Sequence, residues 1–117
     1  MNELIESIFD GFTVGGEQIP VTYMYYMGHG EPYVVYMGVY ADNVLRGDDD
    51  LIGYADYYDF DVYAKGNYDE IVEQVKAKLK ENGFVWKPER SSRDMFEVDT
   101  GYNHRTLNFS FLREESE

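Results

Sequence analysis

The sequence predicts an α+β domain of two layers, in which two helices pack on a mostly antiparallel sheet of about five strands. Two segments space their apolar residues as helices do, whereas several other runs alternate apolar and polar residues. Turn sequences rich in Gly, Asn and Asp separate these segments. The predicted order is α-β-β-β-α-β-β, and each helix needs a sheet on which to bury its apolar side.

Length and composition limit the classes of protein to which the chain can belong. Residues 1–117 suffice for one domain with a single core. The 10 Lys and Arg against 23 Asp and Glu give a net charge of −13, which argues against binding nucleic-acid phosphates or anionic membranes. The lack of Cys excludes disulfides and Cys-ligated zinc. No apolar run could span a bilayer, and the acidic N-terminal segment is unlike a signal peptide.

Two amphipathic helices are predicted. The first covers residues 2–9, and the second lies between Asn67 and Gly83. Asn67 is a favourable N-cap, Glu70 completes a pattern like a capping box, and Gly83 ends the helix. The second helix is expected to bury an apolar stripe of Tyr68, Ile71, Val72, Val75 and Leu79.

The strands are predicted from β-branched and aromatic residues in alternating patterns. Residues 19–27 and 32–40 are expected to form a hairpin, because they flank a short Gly-containing turn. Residues 41–53, which include an acidic run, are predicted to be a mobile loop. Two further strands are predicted over 94–100 and over 105–112, where Leu107, Phe109 and Phe111 face inward, and the residues around Trp86 are predicted to be an extra short strand or an extended segment. Residues 114–117 are predicted to be a frayed acidic tail.

The strand over residues 54–64 has the clearest alternation. One face should belong to the core and contain Tyr58, Phe60, Val62 and Ala64. The opposite face should be solvated or occupied by a partner, and it contains Tyr57, Asp59, Asp61 and Tyr63.

Residues with catalytic or metal-binding potential are few. His29 and His104 lie in or beside predicted turns, where histidines are usually solvated, and neither belongs to a recognisable nucleophile arrangement. Asp59 and Asp61 could approach Glu97 or Asp99 and form a carboxylate cluster, although an exposed acidic stripe is the favoured interpretation. Phosphate-binding glycine motifs are absent. The sequence therefore predicts a non-enzymatic protein without cofactor or metal.

Tyrosine is the more informative residue. Of the 12 tyrosines, most fall in or near the central strands, and one sheet face cannot bury them all. Because tyrosine is enriched at protein interfaces, the excess predicts a partner surface. The candidate interface residues are Tyr25, Tyr36, Tyr57, Tyr63, Asp59 and Asp61.

The order and character of these segments resemble those of a known family, the small tail terminator (tail completion) proteins of long-tailed bacteriophages and prophages. The resemblance covers nearly the whole chain and contains no catalytic motif. It rests on a short N-terminal helix and then on Ile19-Pro20-Val21-Thr22-Tyr23, Pro32-Tyr33-Val34-Val35-Tyr36, the strand ending Asp61-Val62-Tyr63-Ala64-Lys65-Gly66-Asn67-Tyr68, the long helix before Gly83-Phe84, and Phe96-Glu97-Val98-Asp99-Thr100-Gly101-Tyr102-Asn103-His104-Arg105.

This resemblance implies a structural protein that forms a ring, typically a hexamer, caps the tail tube and joins it to the head–tail connector protein. Its expected partners are further copies of itself, the major tail tube protein and the connector, without specific nucleic-acid or membrane binding. It would act in the host cytoplasm during assembly and then at the head-proximal end of the virion tail. A channel-facing loop of Asp48, Asp49 and Asp50 would repel passing DNA. The alternative is an acidic nucleic-acid mimic, like an anti-CRISPR inhibitor, that binds a basic enzyme groove.

Overall fold

The computed structural model describes residues 2–24, 32–45, 51–66, 68–98 and 101–114. In these residues the chain forms the predicted α+β architecture, with helices α1 (Asn2–Ile8) and α2 (Asp69–Glu81) on one face of a six-stranded, mostly antiparallel sheet. The sheet order is β3-β4-β5-β8-β6, β7 also pairs with β8, and β1 and β2 form a separate pair. The strands are β1 (Thr13–Val14), β2 (Glu17–Gln18), β3 (Val21–Tyr23), β4 (Tyr33–Leu45), β5 (Leu51–Ala64), β6 (Val85–Trp86), β7 (Met95–Phe96) and β8 (Asn103–Glu114).

The hydrophobic core lies between the helices and one face of the sheet. Phe60 is fully buried at its centre, with its ring centroid 5.6 Å from that of Tyr36 and 6.0 Å from that of Phe109. The predicted core face of β5 and the predicted apolar stripe of α2 are both buried, as are Leu107 and Phe109. The alternation of β5 and the helical spacing in α2 therefore predicted these faces correctly.

The predicted hairpin between residues 19–27 and 32–40 is wrong, because β3 and β4 are parallel. Val21 pairs with Val34 and Tyr23 with Tyr36 in a parallel register. Met24, directly after β3, has a φ of 72°, and residues 24–32 separate β3 from β4, which is longer than a hairpin turn. Strand composition and nearby glycines favour a strand pair, but they do not encode the relative direction of its strands.

The predicted mobile loop over residues 41–53 is also wrong over most of its length. β4 continues to Leu45 and β5 starts at Leu51, and the two strands pair there through partners such as Ala41 and Asp56. Cross-strand hydrogen bonds stabilise this polar segment, whose local composition favours a loop. Asp48, Asp49 and Asp50 lie outside the described residues. Glu114 belongs to β8, contrary to the predicted frayed tail, and residues 115–117 lie outside the described part.

The start of α2 differs from its prediction, whereas its end agrees. Tyr68 occupies the N-cap position and makes no side-chain capping bond, whereas Asn67 was the predicted cap and lies outside the described residues. The Tyr68 hydroxyl donates instead to Asp94. Gly83 follows the helix with a φ of 91°, a left-handed conformation that glycine adopts without a Cβ clash.

The long strands extend beyond the helices that cover them. The 14 residues of β5 span about 45 Å, whereas the 13 residues of α2 span about 20 Å. The molecule is correspondingly elongated, with extents of 50 × 28 × 23 Å. At the far end of the sheet Arg113 lies over the ring of Tyr54 and pairs with Asp56.

Candidate functional site

The sheet face opposite the helices, which we term the open face, contains most of the candidate interface residues. Its side chains come from alternate positions of β4, β5 and β8, and the strand register arranges them in rows across the sheet. The three rows nearest one end are Tyr33–Tyr63–His104, Val35–Asp61–Thr106 and Met37–Asp59–Asn108. All of these side chains are partly or fully buried, so the open face is not a fully solvated surface.

The first row is an aromatic ladder. The Tyr33 and Tyr63 rings stack with centroids 4.8 Å apart, and the Tyr63 and His104 rings stack at 4.2 Å. Tyr102 meets both tyrosine rings edge-on, at 5.8 and 6.4 Å. Burial raises the pKa of Tyr63 to about 12, and the neighbouring carboxylates of Asp61 and Glu97 add to the increase. Tyr63 therefore stays an uncharged phenol to a more alkaline pH than an exposed tyrosine does.

Asp61 of the second row and Glu97 both lie close to His104 of the first row. The Thr106 hydroxyl donates to Asp61 Oδ1 at 2.6 Å, and the same oxygen lies 3.5 Å from His104 Nε2. On its other side, His104 Nδ1 is 3.6 Å from Glu97 Oε2. The side chains of Asp61 and His104 are only 19% and 15% exposed. The interpretation of Asp61 as part of an exposed stripe, and of His104 as a solvated turn residue, is therefore wrong, because pairing between β5 and β8 buries both.

The third row holds a partly buried carboxylate against a buried amide. Asn108 is 2% exposed, and its Nδ2 donates to Asp59 Oδ1 at 2.7 Å. Within the described part of the chain, Asn108 Oδ1 is buried without a hydrogen-bond partner. Burial raises the pKa of Asp59 and the nearby Asp61 raises it further, whereas the bond from Asn108 opposes the shift.

Arginine side chains cover two of the sheet tyrosines. The Arg90 guanidinium lies 4.4 Å from the ring centroid of Tyr57, on the open face. At the far end of β5, the Arg113 guanidinium lies 4.5 Å from the Tyr54 ring centroid and donates to both Asp56 carboxylate oxygens, at 2.9 and 3.3 Å. Among the described residues an arginine therefore lies on a tyrosine in two places, and in one of them a carboxylate completes the contact.

A groove of about 340 Å³ lies beside the aromatic ladder. Its polar lining includes the Asp61 and Glu97 side chains, and the aromatic lining comes from Tyr33 and Tyr63. The apolar lining comes from Met24, Val35 and Met37. The groove therefore combines two carboxylates with aromatic rings and aliphatic surface, which is a suitable environment for an organic cation.

The candidate interface residues do not all lie on one surface. Tyr57, Tyr63, Asp59 and Asp61 lie together on the open face. Tyr36 is 1% exposed in the core, so its assignment to the interface is wrong, because its position in β4 points toward the helices. Tyr25 and the Asp48–Asp50 run lie outside the described residues, as do His29 and Asp99.

Three residues that complete this site were not among the candidates from the sequence: Tyr33, Thr106 and Asn108. Glu97 and His104 were considered there, but neither was chosen as a site residue. One signal was present: in β8 Thr106 and Asn108 alternate with the apolar Leu107 and Phe109, and His104 falls on the same face two positions before Thr106. Their contacts with β5 could not be predicted, because they depend on the register between two strands far apart in the sequence.

Two further results concern the described residues. They contain no group of three or more His, Asp or Glu side chains placed to hold a metal ion. None of their helices is long and apolar enough to cross a membrane.

A scan against protein-family models finds no match to the chain, and a search of curated proteins finds none either. The resemblance to tail terminator proteins therefore rests on the sequence features described above.

Proposed function

We propose that this protein is a tail terminator of a phage or prophage, which forms a ring, caps the tail tube and joins it to the head connector through protein–protein contacts. The observation that carries the proposal is the open face. It presents half-buried tyrosines and carboxylates in ordered rows on one side of the sheet, while both helices lie on the other side. Such a surface is suited to another protein chain rather than to catalysis.

The two sides of the sheet provide the different patches that a ring needs. Subunits in a closed ring meet head to tail, so each must carry two complementary surfaces. The C-terminal half of α2 carries Lys76, Lys78 and Lys80, whereas the open face carries Asp59 and Asp61. Contact between the C-terminal half of α2 in one subunit and the open face of the next would bring these lysines to the carboxylates.

The net charge of −13 suits a protein through whose ring DNA passes. An acidic channel wall repels phosphates, so the genome does not bind to it. We place the Asp48–Asp50 run on that wall. The protein would act in the host cytoplasm during assembly and at the head-proximal end of the finished tail.

The alternative function, inhibition of an enzyme by imitating nucleic acid, receives less support from the geometry. A mimic needs carboxylates directed outward in a phosphate-like track. On the open face, Asp59 and Asp61 are partly buried and are flanked by the rings of Tyr57 and Tyr63, so they do not form an exposed row of like charges.

Deletion of the gene from the phage or prophage that carries it tests the proposal. We expect filled heads and separate or overlong tails in electron micrographs, and normal virions once the wild-type gene is supplied in trans. Normal virions without complementation would refute the proposal. Binding of the purified chain to a nuclease, in the absence of tail proteins and with strong salt dependence, would favour the mimic instead.

A further inference from the structure

We propose that the groove beside Asp61 receives the guanidinium group of an arginine side chain from a partner protein. The inference rests on the proposed function to the extent that both require a protein partner on the open face. It adds the chemistry by which that partner is recognised. The sequence placed Asp61 and Tyr63 at a partner surface, but it did not predict the groove beside them.

The polar and aromatic lining of the groove matches a guanidinium. Asp61 and Glu97 supply negative charge, and a planar guanidinium can donate to carboxylates through a fork of N–H groups. Tyr33 and Tyr63 supply ring faces, which attract cations through their quadrupole. Tyr63 is an uncharged phenol at neutral pH, as a tyrosine ordinarily is, and the stacked ladder fixes the orientation of its ring.

The apolar lining suits the rest of an arginine side chain. Met24, Val35 and Met37 border the same groove, and arginine buries its aliphatic stem against apolar surface while its charged end reaches polar groups. A small inorganic cation would gain no favourable contact from this apolar lining. A long side chain attached to a protein backbone uses both parts of the groove.

The chain itself contains the same recognition chemistry at the other end of β5. Tyr54 and Asp56 are two residues apart, and together they hold Arg113 by a ring contact at 4.5 Å and a fork at 2.9 and 3.3 Å. Asp61 and Tyr63 repeat this spacing beside the groove. The Arg90 contact with Tyr57 adds a second arginine on a β5 tyrosine.

The charge of the protein also favours a basic partner. A net charge of −13 attracts positively charged surfaces over a distance and raises their rate of association. Most of the groove lining lies on the paired strands β4 and β5, which fix its shape before the partner arrives and limit the conformational entropy lost on binding.

The test uses the full chain with ¹³C-labelled methionine methyl groups, since Met24 and Met37 line the groove. The probe is the capped peptide acetyl-Gly-Arg-Gly-amide, and its control is the same peptide with citrulline, a neutral analogue of arginine. We expect saturable shifts of the Met24 and Met37 methyl signals with the arginine peptide, and binding about tenfold weaker with citrulline. Equal binding of the two peptides, or no saturable shift, would overturn the proposal.

Matched variants locate the binding. The double variant Asp61→Asn/Glu97→Gln removes both groove carboxylates and should weaken binding of the arginine peptide about tenfold. Asp10→Asn/Glu81→Gln removes two exposed charges elsewhere and should leave binding unchanged. An equal loss in both variants would show that general charge attraction explains the binding, and would refute the groove assignment. The comparison with citrulline on the wild-type chain decides the question even if the groove variant does not fold.

A third arm distinguishes a partner protein from a free polyamine. Spermidine carries positive charge but no guanidinium, so we expect it to bind more weakly than the arginine peptide at the same methyl groups. Tighter binding of spermidine would overturn the assignment to a partner protein. None of these results depends on tail assembly, so failure of this inference and failure of the proposed function are separable.

Discussion

Replacing Asp59 with asparagine should stabilise the protein at neutral pH. Asp59 is partly buried on the open face, and burial raises the pKa of its carboxyl group above the ordinary value of 3.8. The folded state therefore holds the proton more tightly than the unfolded state, and ionisation of Asp59 costs folding free energy. An asparagine keeps an acceptor for Asn108 Nδ2 and removes the charge. The new amide also carries N–H groups, and the neighbouring Asn108 Oδ1 is a buried acceptor.

The size of the effect follows from the environment of Asp59. One pKa unit corresponds to about 1.4 kcal/mol, and solvent screening of a partly exposed carboxylate reduces this value. We therefore expect Asp59→Asn to raise the free energy of unfolding at pH 7 by about 0.5–1 kcal/mol. For a domain of this size the melting temperature would rise by about 2–6 °C.

Urea unfolding of both proteins across a pH series provides the assay. The contribution of Asp59 makes wild type more stable as the pH falls through its raised pKa, whereas the asparagine of the variant does not titrate. The advantage of the variant should therefore shrink as the pH approaches 3.8 and disappear well below it. Asp10→Asn, at an exposed position, serves as the control and should change stability little at any pH. Destabilisation by Asp59→Asn at pH 7, or an effect independent of pH, would refute the reasoning.

Three further predictions concern the core, a turn and the aromatic ladder. Phe60→Ala removes a fully buried ring and should lower the free energy of unfolding by about 3–5 kcal/mol in urea titrations, whereas a loss below about 1 kcal/mol would contradict the packing. Gly83→Ala places a Cβ on a residue with a φ of 91° and should lower the free energy of unfolding by about 1–2 kcal/mol. An unchanged melting temperature would argue against this turn. The ring-carbon NMR signal of Tyr63, assigned with Tyr63→Phe, should titrate with a midpoint of about 12, and a midpoint at the ordinary value of 10.0 would contradict its burial.

The parts of the fold that follow from local periodicity were predicted correctly. Alternation in β5 predicted the burial of Phe60 and Val62, and helical spacing in α2 predicted the burial of Val75. The strand residues within 41–53 were not predicted, because the polar composition of this segment favours a loop. It is the pairing between β4 and β5 that makes these residues strand. The direction of β3 depends on the path of its connection, which composition does not encode.

The candidate site was predictable only in part, for a related reason. Alternation placed Asp59, Asp61 and Tyr63 on one face, and it also allowed Asp61 to approach Glu97. The position of His104 between these carboxylates depends on the register of β5 against β8, which cannot be predicted from the local sequence pattern. Tyr36 was assigned to the interface because tyrosine is common there, but its place in the strand directs it into the core.

The same register determines what the open face can bind. His104 lies opposite Tyr63, and Thr106 lies opposite Asp61, because β5 and β8 pair over 12 consecutive positions. A slip of one residue would carry Asp61 and Tyr63 to the core side and would place Phe60 and Val62 on the open face. Burial of Phe60 prevents that slip, since exposing this ring would cost several kcal/mol. The core therefore stabilises the fold and also fixes the arrangement of carboxylates and rings that a partner would meet.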